Sequence, residues 1–378
     1  MTFTPEHELF RDSVRAFVAA EIAPHVNAWD EAQTFPRELY RRAAHIGLLG
    51  LGYPEAYGGT PADGWFRLIA TEEIARAGSG GLMASLFSHN IGLPPLVAHG
   101  SEALKRRIVP AVLAGERIAA LAITEPSGGS DVARLRCRAR RDDGHWVIDG
   151  DKTFITSGMR ADWITLAVRT GGPGGAGISL IAVPGDAPGL TRTPLAKMGW
   201  WCSDTAQLHF EGVRVPADHL IGAENAGFRM VMDNFNGERL LMSAGACAFA
   251  QVCFDEALDW ARQRRTFGVA LVEHQVTRHK LMDMHMRLAS TRAWLHAMVE
   301  RQEAGDTGAH WVAELCLLKN HATQTLQWCA DAAVQILGGM GYMRGTRCER
   351  IYREVKVMMI GGGAEEIMKE LAARQLGI

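Results

Sequence analysis

No two of the seven cysteines (Cys137, Cys202, Cys247, Cys253, Cys316, Cys329, Cys348) stand as a Cys-x-x-Cys pair, and their number is odd. Neither a disulfide framework nor a cysteine zinc site is thereby indicated, and reduced, mostly core cysteines are expected. The histidines form no His-Glu-x-x-His, and His279 and His285 fall six apart, so no metal is expected. Charge of one sign is also missing: 40 Lys+Arg against 42 Asp+Glu leave no basic field for nucleic acid and no polybasic membrane segment. No apolar run reaches the roughly 18 residues that a membrane helix needs. The first ten residues carry two glutamates and lack the basic and apolar parts of a signal peptide. A cytoplasmic protein is the plain expectation. Redox chemistry, if the chain performs any, needs an organic cofactor.

What is present is ample for a core. A chain of 378 residues is too long for one ordinary core, so two or three domains are expected. Thr4-Pro5-Glu6 is a helix start, with a cap, a proline at the first position and an acid in the first turn. Leu9, Phe10, Val14, Phe17, Val18 and Ile22 follow at helical spacing, up to Pro24. Helices are predicted over 36–47, 65–77, 79–98 and 101–114. From about residue 118 the period shortens. Strands are predicted over 118–124, 134–141, 145–148, 153–156, 163–168, 178–183 and 206–210, with turns at Asp143-Gly144 and Asp149-Gly150. No helix-length crossover separates them, so antiparallel pairing is expected. After Gly227 the helical period returns over 228–264, 274–303, 309–337, 346–358 and from 364, as in a bundle. The expected domains are 1–117 (helical), 118–227 (β) and 228–378 (helical bundle).

One motif misleads. Gly172-Pro173-Gly174-Gly175-Ala176-Gly177 spells Gly-x-Gly-x-x-Gly, but a strand follows it where a dinucleotide fingerprint needs a helix, so it reads as a hairpin loop.

Thr124-Glu125-Pro126-Ser127-Gly128-Gly129-Ser130-Asp131 follows a strand and can bring backbone N–H groups and a hydroxyl against a phosphate or flavin edge. Taken alone it is equally a tight turn with a capping serine. It resembles the Thr-Glu-Pro-x-x-Gly-Ser-Asp signature of the acyl-CoA dehydrogenases. The resemblance continues in Asp151-Lys152-Thr153-Phe154-Ile155-Thr156-Ser157, in Arg264-Arg265-Thr266-Phe267-Gly268 with Glu273-His274-Gln275, and in Gln335-Ile336-Leu337-Gly338-Gly339-Met340-Gly341-Tyr342. The motifs keep the family's order over residues 5–378. Trp200 to Thr205 is similar to the family's Gly-x-x-x-Ser-Asp-Thr segment and is read as part of the β domain's structure.

The resemblance implies an acyl-CoA dehydrogenase-like, multi-domain α and β fold: an N-terminal helical domain, a middle β-barrel domain and a C-terminal helical bundle. It implies FAD, contacted by Leu121, Ile123, Thr124, Gly129, Ser130, Phe154, Thr156, Gln335, Gly338, Gly339, Ala364 and Glu366. Arg264, Thr266, Phe267, His274 and Gln275 would reach the FAD of a neighbouring subunit, hence a homotetramer or at least a dimer. Phe154 stands where the family often has tryptophan, Leu121 replaces a common aromatic, and Ala364 replaces a threonine.

Dehydrogenating a thioester needs a carboxylate at the α carbon and hydrogen-bond donors at the carbonyl oxygen. In many family members the base stands on the loop before the last helix, where this chain has Gly362. In the long-chain and isovaleryl-type branch it is the glutamate of a Glu-Arg pair, and Asn236-Gly237-Glu238-Arg239 resembles that pattern. A lone Glu-Arg pair in a helix would ordinarily be solvated surface charge. The resemblance makes Glu238 the candidate base, and Gly362 a carbonyl-oxygen donor with room for the arriving carboxylate. Ser130, Asn236 and Arg239 are the candidate substrate contacts. The residues 79–92 could line an acyl pocket or pack the core.

The implied substrate is acyl-CoA or an acyl carrier protein thioester, and the implied electron acceptor is electron-transferring flavoprotein. Two other readings stay open at this point: a flavin monooxygenase or oxidase on the same fold, and a flavoprotein that binds acyl thioesters without turning them over.

Overall fold

Thr4 caps the first helix as its sequence predicts. Its hydroxyl accepts from the His7 backbone N–H, and the His7 ring takes the Thr4 N–H in return. This helix opens a computed structural model that describes residues 3–378. The N-terminal part is α1 (Pro5–Phe17), which runs on through a π-helical turn at Val18–Ile22, then α2 (Val26–Ala32), α3 (Glu38–His45) and α4 (Gly64–Ala75). The single run expected over 79–98 is three short helices: α5 (Gly80–Leu86), α6 (His89–Gly92) and α7 (Pro94–His99). Pro94 and Pro95 have no N–H to continue a helix, so α7 starts afresh on them. The helix α8 (Glu102–Leu113) ends this part. Leu82 and Leu86 are buried with Val14, Ile22, Leu49 and Ile74 in one core, so the segment packs more than it lines.

The sheet comprises β1 (Ala119–Ala122), β2 (Arg138–Asp142), β3 (His145–Ile155), β4 (Trp163–Arg169), β5 (Ile178–Pro184), β6 (Leu190–Pro194), β7 (Ala206–Pro216) and β8 (Leu220–Ile221). The strand order is β6-β7-β3-β2-β4-β5-β8, with β1 paired to β4. Its path does not close on itself, so the expected barrel is an open one. Three expectations need correction. The turn expected at Asp149-Gly150 is a bulge inside the single long strand β3, where the register against β7 shifts between Ile148 and Gly150. β6 was not foreseen: its residues are at most half-buried and it ends on a proline. Pairing is mostly antiparallel, but β1 lies parallel to β4, from Ala119 opposite Trp163 to Ala122 opposite Leu166. The Gly-rich loop at 172–177 does connect β4 to β5, and its Gly174 carbonyl accepts from Arg169 at 3.0 Å.

The C-terminal part is α9 (Gly227–Gln263), α10 (Gln275–Glu303), α11 (Ala309–Leu337), α12 (Arg347–Ile360) and α13 (Glu365–Leu376). A two-residue hairpin, β9 (Arg265–Thr266) with β10 (Val269–Ala270), joins α9 to α10. Contrary to the expectation from apolar runs, α9 is long and apolar enough to cross a membrane; 67% of its apolar 18-residue stretch is buried against the rest of the fold, as in a core helix. All seven cysteines are buried and none forms a disulfide. Among the described residues no histidine, cysteine or carboxylate cluster could hold a metal.

Candidate active site

The Thr124 loop is held from below by an ion pair. The Lys152 ammonium, fully buried in β3, donates to the Ile123 carbonyl and to the Glu125 carboxylate, both at 2.9 Å. Glu125 also accepts the backbone N–H groups of Arg136 (2.6 Å) and Cys137 (2.8 Å). The next residue of β3 bonds the loop directly, the Thr153 N–H to the Thr124 carbonyl at 2.8 Å. The sequence motifs contained Glu125 and Lys152 without revealing their role. They fix one segment against the other, and so hold Thr124 against Thr153, the residue before Phe154.

Leu121 and Ile123 are buried beneath the loop, while Gly129 and Ser130 are exposed at its tip. Phe154 has φ of 61° and leaves 69% of its surface exposed, although Thr153 and Ile155 on either side are buried. A large ring turned out of a sheet in left-handed backbone is costly unless a surface covers it. A broad flat group such as FAD fits that need. Gly338 (φ of 61°) and Gly339 are exposed at the end of α11, and a Cβ on either would meet nothing. Gln335 is likewise exposed. Such bare backbone lets a ligand approach closely.

On the helical side, α9 presents Arg239 toward the loop between α12 and α13. Arg239 is buried; its Nε donates to the Gly362 carbonyl (3.2 Å) and its Nη1 to Asn236 Oδ1 (2.9 Å). The structure therefore joins Asn236, Arg239 and Gly362, residues that lie 123 or more apart along the chain in the case of the glycine. Gly362 has φ of 65°, and a Cβ there would lie 3.2 Å from Met242 Cε. Among the described residues the Gly362 N–H has no hydrogen-bond partner. Ala364 stands at the N-cap position of α13 with no side-chain cap bond, and Glu366 is exposed in its first turn.

Glu238 lines a cavity of about 540 Å³ walled also by Tyr53, Arg67, Asn90, Asn236, Leu241 and Trp311. Its carboxyl has no hydrogen-bond partner among the described residues. Burial pushes it up to about 6, with the Arg239 and Lys319 charges pulling the other way. A carboxylate so placed can accept a proton near neutral pH.

The second predicted set is elsewhere. Arg264 and Phe267 stand exposed on the α9–α10 hairpin, Phe267 at 98%, and Gln275 is exposed at the start of α10. Thr266 Oγ1 lies 3.0 Å from His274 Nε2. Within one chain these five residues form their own cluster, with no hydrogen bond to the Thr124 loop among the described residues.

The chain matches three family descriptions in succession: acyl-CoA dehydrogenase, N-terminal domain (residues 4–116), middle domain (120–213) and C-terminal domain (225–377). It is 35% identical to the mitochondrial long-chain specific acyl-CoA dehydrogenase of Sus scrofa, over 99% of this chain and 87% of that protein. It is also 35% identical to the mitochondrial isovaleryl-CoA dehydrogenase of Oryza sativa subsp. japonica, over 100% and 92%. The crystal structure of an acyl-CoA dehydrogenase from Geobacillus kaustophilus superposes with a TM-score of 0.95 at 34% identity, covering 100% of this chain and 99% of that one. A glutaryl-CoA dehydrogenase from Mycobacterium smegmatis, solved with FADH2, gives 0.91 at 25% identity, covering 99% and 95%.

Proposed function

The chain belongs to the acyl-CoA dehydrogenase family, and from that membership we propose that it converts an acyl-CoA thioester to the trans-2-enoyl thioester with Glu238 as the α-proton acceptor. The family is one of FAD-dependent oxidoreductases. FAD, when bound, supplies the acceptor for the β-hydride. Thr124, Gly129, Ser130, Phe154 and Thr156 would hold it on the sheet side, and Gln335, Gly338, Gly339, Ala364 and Glu366 on the helical side.

The observation that carries the reading is the unbonded, half-buried Glu238 carboxyl, raised to about 6 and one residue from the arginine that grips Gly362. The α C–H breaks as its proton passes to Glu238, and its electron pair forms the new double bond as the β-hydride leaves. The free Gly362 N–H donates to the thioester oxygen, on which charge builds in this step; one such donor is typically worth about 3 kcal/mol of barrier. Arg239 fixes the Gly362 carbonyl and so the glycine itself. Ser130 and Asn236 would contact the thiol carrier or the thioester. The exposed Arg264–Gln275 hairpin fits a homotetramer in which it serves a neighbouring FAD, and electrons leave to an electron-transferring flavoprotein.

The test is the flavin spectrum of the purified holoprotein mixed anaerobically with acyl-CoAs from isovaleryl to palmitoyl. Bleaching of the oxidised band is expected with part of the panel, and the ranking of rates names the chain class. Flavin present but unbleached by every member would overturn the reading in favour of a carrier-protein substrate, oxygen chemistry or simple binding.

A further inference from the structure

Granted Glu238 as the base, the geometry points to Lys319 as a positioning residue for the same proton transfer: it clamps the loop that carries Gly362 and adds a buried positive charge to the surroundings of Glu238. Lys319 stands on α11 and is completely buried. Its Nζ donates to the carbonyls of Met359 (3.0 Å) and Gly363 (2.8 Å). Among the described residues it has no carboxylate within ion-pair distance. Burying an ammonium with only two carbonyls for partners is costly. Burial pushes it down to about 8, with Glu365 and Glu238 drawing it up and Arg239 pushing it down.

A plainer role is a cap on α12, whose last turn includes Met359. An exposed lysine would cap that end without the desolvation cost, and a cap does not explain the bond to Gly363, beyond the helix. The clamp is also wider than one residue. The Asn320 side chain donates to the Glu365 carbonyl at 3.0 Å, and Arg239 to that of Gly362. Carbonyls on both sides of Gly362 are thus pulled toward α9 and α11, which fixes the direction of its unpartnered N–H. The same ammonium favours the ionised form of Glu238. The charged groups around this pair are Arg239 on α9 and Glu365 on α13, with the Cys316 thiol on α11; Arg67 of α4 and Asp233 of α9 share the cavity wall with Glu238.

The experiment compares the pH dependence of anaerobic flavin reduction in the wild-type holoenzyme and in Lys319→Met, Lys319→Arg and Asn320→Ala. A 3-thia-acyl-CoA, which can lose its α-proton but has no β-hydride, gives a second readout through its absorption change with the flavin. Lys319→Met should move the acid-side midpoint up by about one pH unit, a roughly tenfold loss of rate on that limb. Lys319→Arg should restore the midpoint, and Asn320→Ala should slow the reaction without moving it. A folded, FAD-loaded Lys319→Met enzyme with the wild-type midpoint would overturn the proposal. Should that variant not fold, Lys319→Gln, a donor without charge, takes its place with the same expected shift. A wild-type enzyme inert to every acyl-CoA would instead indict the reaction itself, not Lys319.

Discussion

Glu238, the proposed base, has few contacts, and a base needs few. A carboxylate already saturated with hydrogen bonds is a poor proton acceptor, whereas one raised by burial to about 6 is both ionised and basic at neutral pH. The working form is the anion, so the rate should rise as pH climbs through about 6 and level above it. Glu238→Gln keeps the shape and removes the acceptor; flavin reduction should fall by roughly 10²–10⁴ while FAD binding and melting temperature stay near wild type. Stopped-flow absorbance across pH 5 to 9 checks both, and an unchanged rate in the glutamine variant would move the base elsewhere. The Glu238-Arg239 pair stands out in the sequence as a candidate because it is contiguous and the loop offers only a glycine as the rival. The tasks of Glu125 and Lys152 were not, since they meet across 27 residues of chain and nothing local marks the pair.

At the scale of an element, β3 carries the site by way of a defect. Gly150 has φ of 135°, a region that only glycine occupies cheaply, and a Cβ there would lie 2.7 Å from the Cα of Cys137. The bulge sets the register of Lys152, whose ammonium holds the Thr124 loop, until a second shift between Lys152 and Ile155 restores the original pairing. Gly150→Ala should therefore cost about 1–3 kcal/mol in stability from backbone strain alone, and weaken FAD retention as well. Chemical denaturation and flavin content after gel filtration would measure the two; full retention of both would mean that the bulge tolerates a side chain. Asp149-Gly150 looked like a turn in sequence for the same reason that it forms a bulge, because both want a residue with positive φ. The long helices were legible almost to the residue, their apolar period being sustained over many turns. The parallel β1–β4 pair and the half-exposed β6 were not, because neither strand-to-strand direction nor edge position is written in local alternation.

Across the whole molecule, the three successive parts of the chain meet at one buried carboxyl. Glu354 on α12 accepts the Gly80 N–H at the head of α5 at 2.7 Å. Trp200, which precedes β7, packs so closely on Gly80 that a Cβ would lie 2.4 Å from its indole nitrogen. No motif could announce this junction, because residues 80, 200 and 354 share no local pattern. Burial raises Glu354 to about 7, with Asp30 raising it further and the Gly80 N–H, Arg350 and Arg353 opposing. The folded state thus prefers the protonated acid more than the unfolded chain does. That preference stabilises the fold fully below the unfolded value of 4.5 and is lost as pH rises through about 7. Glu354→Gln removes the titration while keeping an acceptor for Gly80. The two proteins should match in stability near pH 4.5, and the glutamine variant should gain on the wild type between pH 5 and 8. The gap should approach roughly 3 kcal/mol. Urea unfolding of each at several pH values reads the difference directly, and parallel curves would mean that Glu354 stays ionised in the fold, paired with Arg350 and Arg353 more tightly than its burial implies.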